Sequence, residues 1–223
     1  MGDTISLGFL VKDGKDFLLL AYRNIAKIAD EIVIVIENND SGIDNALEIA
    51  SYDDRVKVLL MNDCMNDKGA NFLIKNCTKD WIIFLNGCDI LSDTYYLIRD
   101  YIDNYNDFDA FSINKNVFIY NLGSLDATKE INEKCIFRNK NIYYENSNLT
   151  GFNKVWPIQD IQLFCFDGAR NLRDFMQIYY KNLTNETRAY LEDWKNKIIM
   201  GNYALKPNNK DLPIILKEYF KLK

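Results

Sequence analysis

Acidic and amide side chains follow two apolar segments of this 223-residue chain. Residues 31–36 are followed by Glu-Asn-Asn-Asp-Ser-Gly-Ile-Asp, and residues 80–85 are followed by Asn-Gly-Cys-Asp. Carboxylate and amide oxygens accept hydrogen bonds from N–H and hydroxyl groups, and carboxylates also bind hard cations such as Mg²⁺. Turns of the same composition also arise from turn geometry alone. The two segments are the first candidates for a ligand site.

The sequence contains no histidine. This excludes a Ser-His-Asp or Cys-His nucleophile pair, a histidine general base and any metal site that needs imidazole. The chain also lacks a GxGxxG or GxxxxGK[ST] phosphate loop, which disfavours a dinucleotide enzyme or a P-loop enzyme. Proton transfer is left to carboxylate, thiol, phenol and amine groups.

The formal net charge of -5 argues against a nucleic-acid partner, because affinity for the phosphate backbone needs clustered Lys and Arg. The five cysteines include no CxxC pair, which favours free thiols in a reducing compartment. The N-terminus lacks a signal-peptide pattern, and no apolar run approaches the ~20 residues that cross a bilayer. We therefore expect a cytoplasmic protein without a transmembrane segment.

Four short, β-branched segments alternate with helical patterns in the first half of the chain. The predicted strands are residues 4–11, 31–36, 56–61 and 80–85. The predicted helices are residues 15–29, 43–52 and 68–78. Nearly continuous hydrophobicity is typical of strands that are buried on both faces of a parallel sheet. The alternation predicts βαβ units with right-handed crossovers, and hence an α/β fold.

The pattern changes after residue 90. We predict a helix at 92–105, two strands in 108–120 around a turn at 114–116, and a hairpin at 133–145 with its turn at 138–141. A loop at 146–160 and a strand at 161–166 follow. Helices are predicted at 169–182, at 185–199 and after Pro213. No Pro-rich or Gly-rich linker interrupts the chain, so we expect a single domain over 1–223, with halves at 1–107 and 108–223.

Two long stretches, ISLGFLVKDGKDFLLLAYRNIAKIADEIVIVIENNDSGIDNALEIA and DKGANFLIKNCTKDWIIFLNGCDILSD, resemble the N-terminal half of family 2 glycosyltransferases. The resemblance covers about residues 4–93 and continues more faintly through KCIFRNKNIYYE and FDGARNLRDF. It implies a GT-A-like (Rossmann-like) fold, with a mostly parallel sheet flanked by helices and a β-hairpin/helical C-terminal acceptor part. The half at 1–107 would bind a nucleotide sugar, and the half at 108–223 would hold the acceptor and the C-terminal helices.

The resemblance also implies donor-binding residues. Glu37, or Asn39 if the alignment gap is placed differently, would hold the base of the nucleotide sugar, and Asp44 would lie near the base and ribose. Lys68 and Asn71 would open the helix that borders the donor pocket. A solvated lysine at a helix start is the alternative for Lys68.

The metal motif of the family is changed. Its Asp-x-Asp pair aligns with Asn86 and Cys88, so that Asp89 is the ionised ligand that remains. The resemblance implies Mn²⁺ or Mg²⁺, and the substitutions predict a site that is weakened, water-rich or absent. Asn86 would then be a donor-binding residue. Arg170, with Arg173, is a candidate to neutralise the diphosphate in place of a metal.

An inverting transfer needs a carboxylate to deprotonate the acceptor hydroxyl. Glu145, Asp160 and Asp167 are the candidates, and Asp160 is favoured because it precedes a predicted strand. A turn carboxylate is its alternative interpretation. The histidine that often follows in the family's C-terminal strand aligns with Phe166, and the family's His-Glu pair near the acceptor side aligns with Leu149-Thr150.

These observations predict a hexosyltransferase-type glycosyltransferase that moves a sugar from a UDP-linked donor to an acceptor hydroxyl with inversion. The acceptor would be a glycan, a lipid-linked sugar, a protein or a modified nucleobase, and DNA is least favoured by the charge. The alternative is a catalytically silent GT-A-like domain that binds nucleotide sugar, glycan or a protein partner. A nucleotidyltransferase is disfavoured because the first strand is not followed by a glycine-rich loop bearing Lys or Arg.

Overall fold

The computed structural model describes residues 2–12, 17–64, 66–117, 124–125, 131–165 and 206–207. The strands of the described part are β1 (Ile5–Val11), β2 (Glu31–Glu37), β3 (Val56–Met61), β4 (Trp81–Asn86), β5 (Asp89–Leu91), β6 (Ala110–Val117), β7 (Ser124–Leu125), β8 (Ile131–Arg138), β9 (Tyr143–Glu145), β10 (Asn148–Thr150), β11 (Val155–Cys165) and β12 (Lys206–Pro207). The helices are α1 (Leu18–Ile25), α2 (Ile43–Tyr52), α3 (Asp67–Asn76) and α4 (Leu97–Asn104), and a 3₁₀ turn (Ala26–Ile28) follows α1.

Eight strands form one sheet in the order β3-β2-β1-β4-β8-β6-β11-β5. The pairs β1–β2, β2–β3 and β1–β4 are parallel, whereas β8 is antiparallel to both of its neighbours, β4 and β6. This arrangement confirms the predicted α/β class and the GT-A-like, mostly parallel sheet. The four predicted N-terminal strands are confirmed to within about one residue at each end.

The chain reverses its direction of travel across the sheet at β1. It proceeds outward from β1 through β2 to β3 and then returns to the other side of β1 with β4. Because such crossovers are right-handed, α1 and α2 lie on one face of the sheet and α3 lies on the opposite face. Ligands of open α/β sheets bind beside the carboxyl ends of the strands at such a reversal. The topology therefore directs attention to the edge where β1 and β4 end.

Helix α3 approaches the sheet and the preceding loop closely. A Cβ atom at Gly8 of β1 would overlap the side chain of Leu73, and one at Gly69 would overlap the backbone carbonyl of Cys64. On this face, α3 packs through Ala70, Leu73 and Ile74 in a buried cluster with residues of β1, β2 and β4. Glycine at both positions is thus a condition for the packing of α3.

Two predicted elements of the second half are wrong in detail. Residues 114–116 do not form a turn, because β6 runs through them and pairs Asn114 and Lys115 with β8. The predicted hairpin at 133–145 is also absent, since both edges of β8 are already taken by β4 and β6. The hairpin is instead formed by β9 and β10.

Residues 146–160 are not a loop, because β10 and most of β11 lie there. Strand β11 is difficult to predict from the sequence because its buried residues Ile158 and Ile161 are separated by exposed polar residues. The predicted C-terminal helices at 169–182, at 185–199 and after Pro213 lie outside the described residues.

The chain forms two compact units. The first contains residues 1–115, 131–164 and 212–223, and the second contains residues 116–130 and 165–211. In the second unit the described residues include the short antiparallel pair β7–β12. The single domain with halves at 1–107 and 108–223 stays a prediction.

We predict that Gly69→Ala destabilises the protein by about 2 kcal/mol, because the added methyl group collides with backbone and not with a flexible side chain. In a solvent-exposed helix the same change would stabilise by about 1 kcal/mol. Denaturant unfolding measures the difference. The matched control is Gly2→Ala, whose methyl group would meet Asp103 at 3.4 Å, an ordinary contact. Equal stability of Gly69→Ala and the unmodified protein would contradict this account of α3.

Candidate functional site

A cleft of about 150 Å³ lies at the carboxyl ends of β1 and β4, beside the N-terminus of α3. Its walls also include β8 and the turn between β9 and β10. The lining residues are Leu10, Asn66, Asp67, Ala70, Phe84, Asn86, Glu133, Tyr144 and Ser147. The cleft therefore combines aromatic and apolar surfaces with carboxylate and amide groups, as small-molecule sites do.

The N-terminus of α3 forms one wall of the cleft. The side-chain oxygen of Asn66 caps the helix by accepting hydrogen bonds from the backbone N–H of Lys68 at 2.9 Å and of Gly69 at 3.2 Å. Asp67 Oδ1 accepts a hydrogen bond from the backbone N–H of Ser147 at 3.0 Å. This bond holds the turn of the β9–β10 hairpin over the start of the helix.

The hairpin turn has the geometry that a two-residue connection needs. Asn146 and Ser147 have φ values of 52° and 60°. Positive φ at both central residues is typical of the tight turns that match the twist of antiparallel strands. The turn thereby brings Tyr144 and Ser147 to the cleft from a segment that is remote in sequence from α3.

Tyr144 is held against α3 by Asn71. The backbone N–H of Tyr144 donates to Asn71 Oδ1 at 2.7 Å, and Asn71 Nδ2 donates to the Tyr144 carbonyl at 2.9 Å. The ring centroids of Tyr144 and Phe84 are 5.4 Å apart. Burial, followed by the charge of Glu133, raises the pKa of the Tyr144 phenol well above its usual range. The phenol is therefore neutral and presents an aromatic face with a hydroxyl group.

A chain of charged groups lies beside the cleft. Asp89 is 2% exposed, and its Oδ2 accepts hydrogen bonds from the backbone N–H of Asn86 at 2.9 Å and from Asn86 Nδ2 at 3.0 Å. The ammonium of Lys115 lies 3.9 Å from Asp89 Oδ2 and 3.3 Å from Glu133 Oε2. Within the described part of the chain, Asp89 Oδ1 is buried without a hydrogen-bond partner.

These residues do not fit the divalent cation that the resemblance implies. Asn86 turns its amide nitrogen, and not its oxygen, toward Asp89. Lys115 already occupies the space between the two carboxylates. A divalent cation about 4 Å from an ammonium is repelled by about 8 kcal/mol at an effective dielectric constant of about 20. At the same dielectric constant this repulsion cancels the attraction of one carboxylate at an equal distance, so Lys115 makes the site less favourable for Mn²⁺ and Mg²⁺ than its two carboxylates alone would be.

The residues predicted at the end of β2 lie outside the cleft lining. Glu37 is half-buried, with the ammonium of Lys12 3.9 Å from its Oε2. Asn39 and Asp44 are exposed, and Asp44 lies in the first turn of α2. Because β2 is adjacent to β1, these residues share the carboxyl edge of the sheet with the cleft. Their contact with a donor stays a prediction.

The other predicted donor residues are divided between the cleft and its surroundings. Asn86 lines the cleft. Lys68 is exposed in the first turn of α3. Asn71 uses both ends of its amide on the backbone of Tyr144, so the structure gives it a positioning role. Arg170 lies outside the described residues, and its predicted contact with the diphosphate stays a prediction.

The structure does not place Asp160 or Glu145 in the cleft lining, and Asp167 lies outside the described residues. Asp160 lies within β11, where its carboxylate accepts a hydrogen bond from the hydroxyl of Tyr101 at 2.8 Å. This bond, followed by burial, raises the pKa of Tyr101 to about 12. Glu145 is exposed on β9, next to Tyr144. Among the described residues, the carboxylates that line the cleft are Asp67 and Glu133.

Sequence reasoning missed Glu133 and Lys115. The sequence predicts a turn at Lys115 and a hairpin arm at Glu133, whereas both residues lie in strands of the sheet. The two side chains come close because β8 lies between β4 and β6. The available signal was the alternation of apolar and polar residues at 111–114, which is typical of strands with one polar face. Residues 131–137 show no such alternation.

We predict that Asn71→Ala lowers the free energy of unfolding by about 2 kcal/mol, because the change removes both hydrogen bonds to the Tyr144 backbone. The control is Asn76→Ala on the same helix, since Asn76 makes exposed hydrogen bonds. We expect a change within about 0.5 kcal/mol for this control. Denaturant titration of both variants measures the difference. Similar losses of stability in the two variants would contradict the proposed role of Asn71 in holding Tyr144 against α3.

None of the helices in the described part of the chain has the length and apolar character that a bilayer crossing requires. No protein-family model matches the sequence, and no curated protein matches it. The recognisable similarity is to solved structures.

Three of these structures are crystal structures of S. aureus TarS. The TarS chain superposes with a TM-score of 0.54 at 13% sequence identity, covering 73% of this chain and 36% of TarS. TarS 1–349 in complex with UDP-GlcNAc gives 0.55 at 13% identity, covering 72% and 58% of the two chains. TarS 1–349 in complex with UDP gives 0.53 at 14% identity, covering 72% and 60%.

This chain therefore spans little more than a third of TarS and less than two thirds of its 1–349 fragment. At such low identity the similarity concerns the fold alone. The described part of the chain has a GT-A-like fold, with its cleft at the reversal point of the sheet.

Proposed function

We propose that the chain is a glycosyltransferase, similar to family 2, that binds a UDP-linked sugar in the cleft and transfers the sugar to an acceptor hydroxyl with inversion. The observation that carries the proposal is the cleft itself, which joins Tyr144, Asp67, Glu133 and Asn86 at the reversal point of a GT-A-like sheet. The UDP-GlcNAc and UDP complexes of TarS, which has the same type of fold, support a nucleotide sugar as the ligand class.

The cleft chemistry suits such a donor. Aromatic faces such as that of Tyr144 stack on nucleobases and sugar rings, and carboxylates accept hydrogen bonds from sugar hydroxyls. The N-terminus of α3 contributes a favourable dipole for phosphate. Its contribution is the dipole more than the N–H groups of Lys68 and Gly69, because Asn66 already accepts from both.

Glu133 is the carboxylate that we assign as the general base. It lines the cleft, and the ammonium of Lys115 lies 3.3 Å from its Oε2. The other lining carboxylate, that of Asp67, is committed to the backbone of Ser147. Glu133 would take the proton of the acceptor hydroxyl as that oxygen attacks the anomeric carbon and the nucleoside diphosphate leaves. The acceptor would be a glycan, a lipid-linked sugar or a protein.

We place the reaction in the cytoplasm. The described part of the chain contains the buried cysteines Cys64, Cys77 and Cys135, none of which forms a disulfide. Burial raises the pKa of Cys64 to about 11 and that of Cys77 to about 12, so these thiols are inert structural groups. Unpaired thiols of this kind are typical of a reducing compartment.

A catalytically silent nucleotide-sugar-binding domain is the second candidate. Two positions that resemble acceptor-side residues of the family favour it. Leu149 is buried at 9% exposure, and the hydroxyl of Thr150 donates to the Tyr143 carbonyl at 3.0 Å. Neither side chain can act as a base, so among the described residues the proposed transfer depends on Glu133.

Donor binding is tested by isothermal titration with UDP-GlcNAc, UDP-glucose, GDP-mannose and a CMP-sugar. We expect the UDP-sugars to bind most tightly and Tyr144→Ala to bind them about fivefold more weakly, because the change removes a stacking surface worth about 1 kcal/mol. The matched control is Tyr143→Ala, since Tyr143 is 50% exposed on the same strand. Equal binding by all three proteins would place the donor elsewhere, and Glu37→Ala and Asp44→Ala would then test the end of β2.

Transfer is tested by release of UDP in the presence of acceptor sugars, lipid-linked sugars or peptides. We expect Glu133→Gln to lower kcat by about 100-fold or more with little change in KM, as loss of a general base does. Asp160→Asn is the comparison, because its carboxylate is bonded to Tyr101 outside the cleft. A large loss in Asp160→Asn with full activity in Glu133→Gln would restore Asp160 as the base. Donor binding without turnover by any protein would establish the silent domain.

A further inference from the structure

Lys115 lies where three separate strands bring charge together. It extends from β6 toward Asp89, which begins β5, and toward Glu133 of β8. Its side chain is 11% exposed, so its ammonium has exchanged most of its water for carboxylate partners. Asp89 is buried more deeply still.

The arrangement resembles a cation site in which the ammonium of Lys115 occupies the position of the bound ion. One carboxylate is buried and the other faces the cleft, and the positive charge lies between them. The segment that resembles the metal motif contributes its one carboxylate, Asp89, to this arrangement. Among the described residues, the potential metal ligands that gather with Asp89 are cysteine thiols and not further carboxylates. A hard cation such as Mg²⁺ or Mn²⁺ needs more oxygen ligands than this site supplies.

We propose that the ammonium of Lys115 takes the place of the divalent cation, so that the chain binds its donor without a metal ion. The nucleotide part of this inference rests on the proposed function. The exclusion of a metal ion by Lys115 does not rest on the proposed function, because it depends only on the charges of the chain's own residues.

The charges of Asp89, Lys115 and Glu133 determine whether the site attracts a divalent cation. With Lys115 in place, the cluster of Asp89, Lys115 and Glu133 carries a net charge of about -1 and has little attraction for a further cation. Removal of the ammonium leaves two carboxylates, and one oxygen of Asp89 is buried without a partner. Such a pair attracts a divalent cation. Lys115→Met, which keeps the length of the side chain, should therefore convert the site into a metal site.

The first experiment measures Mn²⁺ binding without any nucleotide, from the electron paramagnetic resonance signal of free Mn²⁺. We expect the unmodified protein and Lys115→Arg to leave Mn²⁺ free. We expect Lys115→Met to bind it at least tenfold more tightly, and Lys115→Met with Glu133→Gln to lose that gain. Stoichiometric Mn²⁺ binding by the unmodified protein would overturn the inference, as would a folded Lys115→Met protein that gains no Mn²⁺ affinity.

Folding of the variants is followed by thermal unfolding with and without Mn²⁺. Because a ligand that binds the native state raises its stability, Mn²⁺ should raise the Tm of Lys115→Met and leave that of the unmodified protein unchanged. If Lys115→Met does not fold, Lys115→Gln replaces it, and the Mn²⁺ titration of the unmodified protein still decides whether the native site excludes metal.

The second experiment adds the donor. We expect the affinity of the unmodified protein for UDP to change less than twofold between EDTA and Mn²⁺, and Lys115→Met to bind UDP at least fivefold more tightly with Mn²⁺ than with EDTA. Loss of UDP binding in EDTA by the unmodified protein would overturn the inference. Absence of UDP binding under every condition would count against the proposed function, while the Mn²⁺ titration would continue to test the role of Lys115.

Discussion

The close approach of α3 to the sheet is the constraint on which the cleft depends. Gly8 and Gly69 leave room for the side chain of Leu73 and for the carbonyl of Cys64. This packing places the helix start at the carboxyl edge of β1 and β4, where Asn66 and Asp67 become a wall of the cleft. The β9–β10 hairpin is then fastened to the same helix at two points, through Ser147 and Tyr144. The packing of this one helix thus determines where the aromatic and polar groups of the site meet.

The buried charge of Asp89 imposes a second requirement. An ionised carboxylate that is removed from water needs hydrogen bonds and an opposite charge. The backbone and amide of Asn86 supply the hydrogen bonds, and Lys115 supplies the charge. Lys115 in turn connects Asp89 to Glu133 at the cleft. The electrostatic state of the cleft wall is therefore set by residues from three strands that are distant in the sequence.

The first half of the fold was predictable because its signals are local. Continuous apolar runs identified β1 to β4, and helical periodicity identified α2 and α3 to within one or two residues. The second half was less predictable because its pairings are non-local. The segment at 114–116 has the composition of a turn but lies in β6, since β8 provides it with a hydrogen-bonding partner. Glu133 was missed for the same reason, because its exposure to the cleft follows from strand order and not from neighbouring residues.

A lysine in place of a metal ion changes how the site binds its ligand, because the positive charge is already part of the protein. A bound metal must be recruited, and its occupancy depends on the metal concentration, whereas Lys115 is present before any donor arrives. Because Lys115 is held by both Asp89 and Glu133, a ligand phosphate must compete with these carboxylates for the ammonium. That competition would weaken the bond between Lys115 and Glu133 as the donor binds. Glu133 would then be released from Lys115 at the stage when an acceptor hydroxyl needs a base. In this way one lysine would link donor binding to the activation of the acceptor.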